Sequence, residues 1–141
     1  MRTKRDEQNL RRLLKTAKAF VVEKQKHLAD LEAARASAAD ALDDLRRSVR
    51  HEERSSPIAD AAAVVALGGF QAGTTEKKQA LAATASTLDI EIESVRKLLC
   101  DALSEQRKFE HLLEIAERAS GRKAAAAQNE RMIDAIVRTA S

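Results

Sequence analysis

The chain has almost no aromatic residues. Among its 141 residues there are three, Phe20, Phe70 and Phe109, with no Trp and no Tyr. A globular core normally leans on such large side chains, so their scarcity argues against an enclosed interior and an enclosed active site. Cysteine is equally sparse. Cys100 stands alone, which excludes an internal disulfide and fits a reducing compartment. One proline and four glycines leave few points where a helix must stop. No apolar run reaches the ~18 residues that span a bilayer. No apolar segment follows Met1-Arg2-Thr3-Lys4-Arg5-Asp6-Glu7, which argues against a cleaved signal peptide. The expectation is a cytoplasmic protein without a membrane span.

What is present is charge, 33% of residues, together with abundant Ala and Leu. That is the composition of long helices. The net charge of +3 mixes both signs along the chain, as on a solvated helical surface, and does not by itself indicate nucleic acid.

Two stretches repeat their apolar residues at alternating steps of three and four, the 3.5-residue period that keeps one helix stripe against a partner. The first holds Leu10, Leu14, Ala17, Val21, Lys24, Leu28, Leu31, Arg35, Ala38, Leu42, Leu45 and Val49. The second holds Leu81, Ala85, Leu88, Ile92, Val95, Leu99, Ala102, Gln106, Phe109, Leu113 and Ala116. The expected architecture is all-α: a long antiparallel two-helix coiled-coil hairpin in one domain. Its first helix covers 6–54, its second 76–139, and a connector over 55–75 carries a short apolar helix. Ser55-Ser56-Pro57 stops the first helix, and Ser56 with Pro57 can start the short one over Ile58–Leu67. Gly68-Gly69 closes that piece in a left-handed C-cap, and Thr74 or Thr75 caps the second helix. Ile58–Leu67 and Phe70 are expected to cap the bend. The connector permits closure within one chain, as a monomer, or exchange between two, as a helix-swapped homodimer.

The expected register sets Lys24 opposite Gln106, so that polar meets polar. It alternates large with small, as in Leu14 with Ala116 and Leu45 with Ala85. Arg35 falls against Val95 and must lead its guanidinium out of the seam. In this register Glu130 to Ser141 overhangs, carrying Met132, Ile133, Ile136, Val137 and Ala140 on one face. An uncovered apolar stripe reads as a binding surface.

The residues offer little chemistry. His27, His51 and His111 lie far apart, without the four convergent ligands of a zinc site, and read as solvated. Cys100, beside Leu99, reads as a partly buried structural thiol, although Arg96 and Lys97 could activate it. No acid/base pair, phosphate loop or nucleophile set is recognisable, so neither an enzyme nor a cofactor or metal is expected. The basic cluster Arg2, Lys4, Arg5, Arg11, Arg12, Lys15 and Lys18 opposes the dipole of its helix. It reads either as a frayed end or as an electrostatic contact with an acidic protein surface. A basic rod binding nucleic acid, and a generic structural coiled coil pairing between chains, are the alternatives.

The layout resembles the FliJ family of flagellar type III export proteins. The similarity rests on chain length, two long helices with a break after the first, and Lys108-Phe109-Glu110-His111-Leu112-Leu113-Glu114 running on to Asn129-Glu130-Arg131-Met132-Ile133-Asp134-Ala135-Ile136. The resemblance implies a non-enzymatic component of flagellum biogenesis that binds the hexameric export ATPase and promotes its assembly and activity. It also implies dealings with export substrates, chaperones and the membrane export gate, at the cytoplasmic side of the inner membrane. By resemblance the ATPase contact falls on Leu10, Arg11 and Arg12 with Met132, Ile133, Ile136 and Val137. The gate contact falls near Phe70, where this chain has one aromatic and the family often has several.

Overall fold

A computed structural model describes residues 4–55 and 61–140, and all of them are helical. Helix α1 spans Lys4–Ser55 and α2 spans Ala61–Ala140, with 52 and 80 residues. They pack against each other as an all-α hairpin. The chain falls into two compact units, Met1–Glu23 with Leu99–Ser141, and Lys24–Leu98.

In the second of these, rising numbers on α1 meet falling numbers on α2: Glu32 pairs with Arg96, Arg35 with Asp89, and Glu53 accepts a hydrogen bond from Gln71. The helices are therefore antiparallel. At the centre of this unit Leu31 clusters with Ile92 and Val95, with Leu28 and Leu88 packed alongside. In the other unit Arg11 reaches Glu117, and Leu13 and Leu112 line one shallow cleft.

The buried apolar residues are Val21, Leu31, Ala38, Ile92, Val95, Ala102 and Ala116, and every one is a seat of the two expected seams. The remaining seats are all half-buried, the polar Lys24, Arg35 and Gln106 included. A two-helix interface has no deeper layer, so these stripes make up most of the core among the described residues. Burial of these stripes is what holds the helices, because a solvated helix gains little from propensity alone.

The register differs from the expected one. Leu31 packs with Ile92 and Val95, where the expected pairing named Leu99. Arg35 Nε donates to Asp89 Oδ1 at 2.8 Å, where it named Val95. Arg11 meets Glu117, where it named Ala119. In each case α2 presents an earlier residue. The guanidinium of Arg35 does leave the seam, and a carboxylate receives it. Gln106 turns along its own helix and donates to Glu110 at 2.9 Å. A polar seat at the rim can thus satisfy itself locally, which removes the reason for matching it with Lys24.

The connector differs too. Ser56, Pro57 and Ile58 lie outside the described residues. From Ala61 onward α2 is unbroken, so the short helix does not close at Gly68-Gly69 and the long one does not begin at Glu76. None of the described glycines has positive φ. Thr74 Oγ1 donates to the Phe70 carbonyl at 2.7 Å and Thr75 Oγ1 to that of Gln71 at 2.9 Å. These are back-bonds to the preceding turn of a continuing helix, not caps. The seam explains the continuity: Ala63, Leu67, Thr74 and Lys78 extend the covered face back from Leu81. Packing there outweighs a glycine cost of about 1 kcal/mol per position. Val64, Val65 and Phe70 are exposed and do not form the expected cap.

Seam and glycines can each be tested by substitution. Leu31→Ala should lower unfolding free energy by about 2–3 kcal/mol, whereas Ile90→Ala, at an exposed position, should stay within about 0.5 kcal/mol. Urea titration of both variants separates them. A Cβ built on Gly68 or Gly69 meets nothing within 4 Å, so Gly68→Ala and Gly69→Ala should each stabilise by about 0.5–1 kcal/mol. At left-handed C-caps the same changes would destabilise, so thermal melts distinguish the two backbones.

Candidate partner-binding surface

The unit formed by the start of α1 and the end of α2 holds every expected contact residue except Phe70. Along α1, Arg5, Arg11, Arg12, Lys15 and Lys18 are exposed, and Asp6 and Glu7 stand among them in the first turn. Those two carboxylates complement the helix N-terminus and offset the basic residues around them. Arg2 lies outside the described residues. The guanidinium of Arg11 sits 3.3 Å from Glu117 and 3.8 Å from Glu7. Its charge is matched on both helices. Arg12 points to solvent, and its carbonyl accepts the hydroxyl of Thr16 at 3.1 Å. Leu10 is half-buried and lines the cleft with Asp6, Asn9, Leu13 and Leu112.

The other half of the surface is the end of α2. Burial fades at Ala119 and Ser120, and every residue over 121–140 is exposed. The overhang thus begins at Gly121, ahead of the expected Glu130. Met132, Ile133, Ile136 and Val137 have between 58% and 63% of their surface in solvent. The expected apolar face is there, and nothing among the described residues covers it.

The two halves do not form one patch. At about 1.5 Å per residue, Met132 lies roughly 22 Å along α2 beyond Glu117, the partner of Arg11. Phe70 belongs to the other compact unit, on an exposed turn of α2.

The stretch of surface that leads up to Ile133 is not among the expected ones. Besides its seam, α2 carries a second series at steps of three and four: Leu112, Ile115, Ala119, Arg122, Ala126, Asn129, Ile133, Ile136 and Ala140. It lies on a different face from the seam positions Phe109, Leu113 and Ala116, and its first member lines the cleft with Leu13. Ile115 and Leu13 are large and exposed. The signal is in the spacing, but the stronger seam beside it masks it.

Elsewhere the surface is ordinary. His27, His51 and His111 are exposed, and among the described residues no group of His, Cys, Asp and Glu could hold a metal. Cys100 is exposed, not partly buried, because it stands one residue past the seam seat Leu99 and turns outward. Glu114 accepts from Arg118 at 2.6 Å, an ion pair along one helix. No helix among the described residues is long and apolar enough to cross a membrane.

No family model matches this chain, and neither a curated protein nor a solved structure matches it either.

The Arg11–Glu117 pair is exposed on both sides, so it should contribute at most about 0.5 kcal/mol. Arg11→Ala is expected to leave the urea midpoint nearly unchanged and to abolish what little salt dependence the pair gives.

Proposed function

We propose that the protein is a non-enzymatic coiled-coil component of a flagellar or related type III export apparatus, which binds a hexameric export ATPase and promotes its assembly and activity. The observation that carries this reading is the bare apolar face of Met132, Ile133, Ile136 and Val137 on a helix that outruns its partner. An uncovered apolar helix face of this kind can bind a ring by burial. The resemblance of 108–136 to the family's C-terminal helix supplies the identity of the ring.

In this reading the basic start of α1 makes a second contact, separate from the first by the distance along α2. Arg5, Arg12, Lys15 and Lys18 suit an acidic outer surface of the ATPase, where rim charges act mainly on association rate. Arg11 is the weakest of them, since Glu7 and Glu117 already compete for it. Phe70 offers one exposed ring to the export gate, and an escort role toward export chaperones or substrates belongs to the same proposal. The place of action is the cytoplasmic face of the inner membrane.

The test measures ring assembly and ATP hydrolysis with the full chain, with a chain ending at Ser120, and with Ile133→Asp. Both changes should remove most of the stimulation while leaving the helical circular dichroism of the seam intact. Equal stimulation by all three proteins removes the overhang from the mechanism.

A further inference from the structure

The exposed end of α2 is 20 residues of helix without tertiary support, opened by Gly121. A helix of that length is marginal in water by itself, and this one carries apolar seats at coiled-coil spacing. Those seats do not end where the seam with α1 ends. They continue the second series, which starts at Leu112 beside the cleft of Leu10 and Leu13. The same unit therefore offers both an uncovered apolar helix end and an unfilled cleft.

We propose that a second copy of the chain covers this face, with the two α2 ends antiparallel about a two-fold axis near the Ala124–Ala127 run. In this dimer Ile133, Ile136 and Ala140 of one copy lie along Leu112, Ile115 and Leu13 of the other, and the reverse. The contact is isologous and closes, as a two-fold interface must. The alanines fall where the helices cross, which lets the two backbones approach closely. In the same register the polar seats Arg122 and Asn129 of one copy face the small seats Ala126 and Ala119 of the other, and their polar heads reach water at the rim.

Charge decides the orientation. Lys123 and Glu130 border the stripe on one flank, and neither has an ion-pair partner within the chain among the described residues. Antiparallel pairing brings Lys123 of each copy beside Glu130 of the other, twice by symmetry. Parallel pairing would set Arg122 against Arg122 and Lys123 beside Arg118, all of one sign. It would also leave both clefts unfilled.

The dimer covers the face that the proposed function assigns to the ring, so second copy and ring exclude each other there and the dimer is the state of the free chain; its test contains no ATPase. Sedimentation equilibrium of the full chain should show a mass rising with concentration toward twice that of the chain. Lys123→Glu alone and Glu130→Lys alone should each raise the dimer dissociation constant by roughly tenfold, since two attractions become repulsions. The double variant should restore it, which a merely structural effect of either change would not do. In a Cys100→Ser background, Ala126→Cys should form a disulfide-linked dimer under mild oxidation and Ala140→Cys should not, because antiparallel copies hold their residues 140 about 40 Å apart. A chain that stays monomeric at all concentrations overturns the proposal. So does a double charge variant weaker than either single one, or a dimer linked as readily through position 140.

Discussion

Everything in this molecule depends on one kind of contact, an apolar stripe of 3.5-residue period laid against another. Among the described residues there is no second layer on which to fall back. Leu31, Ile92 and Val95 are among the most covered side chains it possesses, and they are covered by one helix each. Charged residues can therefore occupy seam seats, as Lys24 and Arg35 do, because the rim is always within reach. A buried seat would demand a partner for the charge; here Arg35 needs only a short step to Asp89.

Periodicity made the fold class legible. All the buried apolar side chains occupy positions that the spacing names, and the exposed face past Ser120 follows from the second helix having more chain than the first can cover. Register was less legible, for a physical reason. Alternating large and small residues fit several offsets almost equally well, and the polar match of Lys24 with Gln106 has little weight because Gln106 can use Glu110 on its own helix. The connector was not legible because glycine is a weak veto. Gly68 and Gly69 favour a stop, but Leu67, Thr74 and Lys78 give the helix a covered face on both sides of them.

The candidate surface was legible in part. The apolar end of α2 is visible as a stripe beyond the pairing, and Arg12 as an exposed cation. What sequence could not convey is that Arg11 spends its charge within the chain, and that Leu10 and Met132 stand well apart. Sequence proximity to two helix ends suggests one patch; a partner helix that stops early leaves two. The second series from Leu112 to Ala140 is hard to separate by eye since its residues interleave with the seam, and only exposure tells the two faces apart.

The three glycines at 68, 69 and 73 bear on how the molecule breathes. They sit in one stretch of α2, where a Cβ at each would meet nothing within 4 Å, and each weakens the helix locally. Val64, Val65 and Phe70 are already wet, so opening there uncovers only the seam contacts of Ala63, Leu67 and Thr74. Amide protons of this stretch should exchange through local opening, well before those around Leu31 and Ile92, whose release waits on separation of the helices. The stretch over 68–73 is thus the soft part of α2, open to exchange while the seam around Leu31 stays closed.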